Sequence, residues 1–141
     1  MPILKEDVMS ETTQRRGEWK FDLEDRLIRF TSTVLSLLTH LPADRESEHI
    51  ARQLLRSGTS AAPNYAEALG AESLRDFIHK LGIAVKELRE TFVWIRLIKL
   101  RGLVADQRLL DDTIRECNEL ISILVASINT SRKNAKTNSK F

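Results

Sequence analysis

Between residues 110 and 128, Leu110, Ile114, Cys117, Ile121, Leu124 and Ile128 recur at steps of four, three, four, three and four. That period places all six on one stripe of an α-helix and excludes a strand, whose faces alternate every second residue. A lone helix with such a stripe is not stable in water, so the rest of the chain has to cover it.

The remaining sequence supplies partners of the same kind. Leu23, Leu27, Phe30, Val34, Leu37, Leu38 and Leu41 mark a first helix from about Asp22 to His40, which Pro42 ends. A second begins between Asp44 and Ser47, either of which can serve as its N-cap, and aligns Ile50, Leu54, Gly58, Ala61, Tyr65 and Leu69, with Gly70 as its stop. A third opens at Ser73, with Asp76 in a capping position, and carries Leu74, Phe77, Ile78, Leu81, Ala84, Val85, Leu88, Phe92 and Ile95 on its core face. Asp106 is the expected N-cap of the fourth, which runs to about Asn129.

Five Gly and three Pro among 141 residues provide too few turns for a sheet protein. The expected fold is therefore all-α, an up-and-down antiparallel four-helix bundle over residues 21–129. Residues 1–20 read as a flexible N-terminal arm with a short ordered piece near Trp19 and Phe21, and residues 130–141 as a basic disordered tail.

The third helix has a second apolar set, Ile83, Trp94, Leu97 and Ile98, directed away from the core stripe. A four-helix domain covers one side of such a helix, so the other side is expected to be a subunit interface in a homo-oligomer.

Within the second helix, "RSGTSAAPNYAEAL" (residues 56–69) sets Gly58 and Pro63 where a helix pays for both, about 1 and 3 kcal/mol respectively. The small residues Gly58, Ser60, Ala61, Ala62 and Ala66 imply close approach of a neighbouring backbone at a kink. Thr59 or Ser60 hydroxyls are expected to take up the carbonyls freed there, and Asn64 and Glu67 to hydrogen-bond across a helix pair.

Charge narrows the function classes. The net charge is +2, but Arg132, Lys133, Lys136 and Lys140 stand in the tail without an acid, which leaves the first 129 residues at −2. Attraction to a polyanion must then come from local patches or from the tail. Two such patches are Arg45, Arg52 and Arg56 on the second helix and Arg75, Lys86, Arg89 and Arg96 on the third, each group sharing a face. They suit a phosphate backbone. The bland alternative is a solvated surface on which they pair with Glu48, Glu87, Glu90 and Asp76.

Catalytic chemistry finds no support. Cys117 is the single cysteine and lies in a core seam, His40, His49 and His79 are scattered over different helices, and no phosphate loop, serine elbow or paired carboxylate motif occurs. No enzyme activity, cofactor or metal is expected. No stretch has the roughly 18 to 20 apolar residues of a membrane span, and the acidic start differs from a secretory leader, so a cytoplasmic location is expected.

"HIARQLLRSGTSAAPNYAEAL" (49–69) and "DFIHKLGIAVKELRETFVWIRLI" (76–98) resemble the bacterial four-helix bundle family whose founding members are encoded in intervening sequences of 23S ribosomal RNA genes. The resemblance spans about residues 22–129. "RSGTS", "NYAEA", "DFIHKL" and "KELRET" are its most specific pieces, and Pro63 is a departure from the pattern. It implies a bundle without established enzyme activity that assembles as a homopentameric ring. It also implies kinship with the accessory variability protein of diversity-generating retroelements, a basic pentamer that binds a reverse transcriptase and nucleic acid. The expected function is thus a non-enzymatic scaffold for itself and for RNA, DNA or a nucleic-acid enzyme, with a protein-only adaptor as the alternative.

Overall fold

The computed structural model describes the backbone of residues 5–138 and the side chains of residues 22–137. Five helices, α1 (Lys5–Leu38), α2 (Arg45–Gly58), α3 (Ala61–Leu69), α4 (Leu74–Arg101) and α5 (Gln107–Asn138), form the four arms of a bundle, α2 and α3 sharing one arm. No strand occurs among the described residues.

The three expected caps form. Asp44 Oδ1 accepts from the Ser47 amide at 2.8 Å, Ser73 Oγ from the Asp76 amide at 3.0 Å, and Asp106 Oδ1 from the Leu109 amide at 3.0 Å. Each satisfies an amide that the first helical turn leaves without a partner. The Ser47 contacts lower the Asp44 pKa, because they favour its charged form. α4 ends at Gly102, whose φ of 63° is open to glycine at no steric cost.

The expected ends of the first and last helices are both passed. α1 is already helical at Lys5, across most of the expected arm, and α5 continues through Asn138, into the expected tail. No proline interrupts either stretch, and Ser131, beyond the expected end of α5, is buried. Residues 1–4 and 139–141, and the side chains of Trp19 and Phe21, lie outside the described residues.

The second arm is broken where one kinked helix was expected. α2 stops at Gly58 and α3 starts at Ala61, so Pro63 falls in the first turn of a new helix, where its missing amide hydrogen is no loss. The last carbonyls of α2 are taken by hydroxyls: Thr59 Oγ1 donates to Leu55 O at 2.6 Å and Ser60 Oγ to Arg56 O at 2.6 Å. Asn64 Nδ2 donates to Ser60 O at 2.8 Å, within its own arm and not across a helix pair. Glu67 does reach across, accepting from Lys80 Nζ of α4 at 3.0 Å.

Gly58 explains the run of small residues around it. A Cβ built there would stand 2.8 Å from Val34 Cγ1, and Thr31 Oγ1 donates to Gly58 O at 3.2 Å, so side chains of α1 pack directly on the backbone of α2. On the other side of α2, Thr91 Oγ1 of α4 donates to Ser57 Oγ at 3.0 Å in a buried contact.

α4 packs on α5, α3 and α2, while α1 packs on α5, α2 and α3, which sets α1 and α4 at opposite corners. The core holds Leu27, Val34, Leu37, Leu54, Leu81, Leu88, Ile95, Leu110 and Leu124, all essentially inaccessible. In α5 the buried register includes Thr113 and Leu120, and Ile114 and Ile121 move to the edge of the stripe, half-buried. Leu69 and Leu74, expected inside, are exposed because they flank the Gly70–Ser73 turn, where the chain passes around the end of the bundle.

Candidate interaction surface

At about 100° per residue, Arg75, Lys86, Arg89, Val93, Leu97 and Leu100 fall on the face of α4 turned away from the core stripe. The first half of this face is basic and the second half apolar. Val93 is 56% and Leu100 84% exposed, values that leave both side chains largely in water. Leu97 and Trp94 are half-buried beside them.

Two open grooves border this strip. One, of about 690 Å³, runs toward α5 and is lined by Val93, Arg96, Leu97, Lys99, Leu100 and Ile114. The other, of about 470 Å³, lies against α2 and is lined by Arg45, Glu46, His49, Ile50, Arg52, Trp94 and Leu97. In it the Trp94 and His49 rings meet edge to face, 6.3 Å between centroids. Trp94 Nε1 is buried without a hydrogen-bond partner among the described residues.

The expected basic residues divide into free and engaged groups. Arg45, Arg52, Arg75, Lys86 and Arg89 are exposed and make no ion pair among the described residues. Arg96 lies over the Phe92 ring, 5.3 Å from its centroid, with its charge still directed to solvent. Arg56 is instead clamped to α4, bonded to Glu87 at 3.4 Å and to Glu90. Of the seven basic positions it is the one already neutralised, by the carboxylates of the solvated-surface alternative.

The expected interface set needs a similar correction. Ile98 is fully buried, because it sits one turn beyond Ile95 on the core stripe. Ile83 is half-buried, and Trp94 turns to His49 on α2. Leu97 is half-buried as well, and Val93 and Leu100, which the apolar pattern alone did not separate from their neighbours, are the outward residues.

Elsewhere, Arg26 ties α1 to α5. Its Nε donates to Glu116 Oε1 at 3.0 Å, and its Nη2 lies 2.9 Å from Glu119, which raises its pKa further. Cys117 is sealed in the core with Sγ 3.3 Å from Leu88 O, and burial pushes its thiol up to about 12. A thiol so protonated has no nucleophilic thiolate at neutral pH. Among the described residues, no three His, Cys, Asp or Glu side chains gather where a metal ion would fit, and no helix is long and apolar enough to cross a membrane.

Fold and surface together define a small helical bundle whose distinctive feature is an outward helix face, half cationic and half greasy. Residues 20–126 match the model of the 23S rRNA-intervening sequence protein family, and the chain belongs to that family. No curated protein matches it. Among solved structures it is similar to a protein of unknown function from the S23 ribosomal protein family of Bacteroides thetaiotaomicron VPI-5482. The two share 30% identity and superpose with a TM-score of 0.69, over 75% of this chain and 97% of that one.

Proposed function

We propose that the protein is a non-enzymatic, cytoplasmic bundle that associates with copies of itself, closing as a ring of five, and serves as a scaffold that binds nucleic acid or a nucleic-acid enzyme. The outward face of α4 carries this reading. Its apolar half, with Leu100 at 84% exposure, leaves in water what a partner surface would cover. Its basic half offers Arg75, Lys86 and Arg89 uncompensated, and Arg45 and Arg52 on α2 lie across the adjoining groove. Repeated around a ring, these cations would follow a phosphate backbone without reading its sequence.

The test has two parts. Light scattering gives the particle mass, and a monomer of 16.1 kDa removes the assembly. Titration of the protein into single-stranded RNA, structured RNA and duplex DNA at two salt concentrations gives the affinity and its salt slope. Binding that weakens steeply with salt, and whose slope falls in Lys86→Gln/Arg89→Gln, supports the nucleic-acid role. An assembled protein that binds none of them at low salt is a protein-only adaptor.

A further inference from the structure

A second apolar strip lies on the far side of the bundle. Ile28, Leu35 and Leu55 are 52%, 41% and 45% exposed. Ile28 and Leu35 are seven residues apart and therefore share one flank of α1. The Thr31 and Gly58 contact joins α1 and α2 in antiparallel sense, which brings Leu55, about one turn before Gly58, alongside Leu35, one turn after Thr31. The three residues therefore form a strip along the α1/α2 seam. α1 and α4 occupy opposite corners, so this strip and the Val93/Leu100 strip are separate surfaces.

Their rims carry opposite charge. Glu24, one turn before Ile28, and Glu48, two turns before Leu55, lie along the α1/α2 strip and make no ion pair among the described residues, while Arg52, one turn after Glu48, lines the α2/α4 groove with Trp94 and Leu97. Asp25 is bound to Arg29 at 2.8 Å, which cancels both at this edge. The α4 strip is rimmed by Arg96 and Arg101, also without an ion pair among the described residues, while Lys99 is held by Asp111. Apolar spacing agrees as well: Ile28 to Leu35 and Val93 to Leu100 each span about 10.5 Å along their helices at 1.5 Å per residue.

Resting on the self-association reading above, we propose that copies of this chain join head to tail, the α1/α2 strip of one seating on the α4 strip of the next. Pairing either strip with its own copy brings like charges together, arginines on one side or glutamates on the other. Pairing one with the other buries both and opposes Glu24 and Glu48 to the arginines. A contact between two different surfaces is heterologous, so it propagates from copy to copy, closing as a ring where the rotation allows, and does not stop at a two-fold dimer.

A mixing experiment decides it. Ile28→Glu disables the α1/α2 strip and leaves α4 intact, and Leu100→Glu does the reverse. Both sites face solvent, and helical circular dichroism confirms that each variant folds; Leu35→Glu and Val93→Glu serve in their place if either does not. Head-to-tail pairing predicts that each variant alone falls to protomer mass in light scattering. Mixed together, they form a one-to-one complex of twice that mass, through the single intact pair of strips. If Ile28→Glu and Leu35→Glu both keep the parent's mass, α1/α2 is not the partner surface and this inference fails while self-association stands. Two monomeric variants that do not combine also overturn it. A monomeric parent removes the assembly itself.

Discussion

Gly58→Ala is the most demanding test of the packing described above. The new Cβ would arrive 2.8 Å from Val34 Cγ1, closer than carbon atoms approach without displacement, and Val34 is fully buried with no free space to enter. Overpacking of this kind costs about 1 to 3 kcal/mol. Replacing a helical glycine with alanine returns about 0.5 to 1 kcal/mol, at the low end here because Gly58 is the last residue of α2. The net expectation is a loss of about 0.5 to 2.5 kcal/mol. In a Val34→Ala background the clashing methyl is gone, so the same substitution fills part of a void and keeps its propensity gain. Its sign should then reverse, to a stabilisation of roughly 0.5 to 1 kcal/mol relative to Val34→Ala alone. Urea denaturation followed by helical circular dichroism, at one protein concentration because association adds to stability, measures all four proteins. An equal loss in both backgrounds, or a gain in the parent, would refute the account of Gly58 as the point where the Val34 side chain meets the backbone of α2.

Three further outcomes follow from single contacts. Thr91→Val removes the donor to Ser57 Oγ and should destabilise the bundle by about 1 kcal/mol in the same denaturation assay, leaving the particle mass unchanged. Cys117, buried and with its thiol raised to about 12, should react with an aromatic disulfide reagent at the rate of protein opening, accelerating in urea, and not at the rate of a free thiol. The Asp44 pKa is lowered in the folded state, so its cap contributes fully above the ordinary Asp range and is lost as pH falls through the lowered value; Asp44→Asn should retain the cap but flatten that part of the acid limb, measured as urea midpoint against pH.

What the sequence made legible were features governed by local rules. Asp44, Ser73 and Asp106 cap the helices expected of them, because a short polar side chain before an apolar-periodic run has one favourable use. Gly58 was legible for a related reason: a glycine among alanines and serines in a helix signals bulk that had to be absent. The breaks at Thr59 and Ser60 were less so. Kinked helix and two abutting helices share the same proline, and the sequence does not say which hydroxyl reaches which carbonyl.

The interaction surface failed to resolve for a different reason. On α4 the core stripe and the outward strip are both apolar and lie on one rod, so periodicity reports their union. Ile98 and Val93 are equally apolar, and only the position of α5 and α2 around α4 decides that the first is sealed and the second wet. Arg56 shows the same limit for charge: its partners Glu87 and Glu90 are more than thirty residues away, and helical spacing cannot tell a cross-helix clamp from a free cation. The residues that distinguish a face for other molecules from a face for the bundle are thus those whose neighbours come from distant sequence. For this chain they are Leu100 and Ile28, the two whose replacement by glutamate tests the proposed assembly apart from the fold.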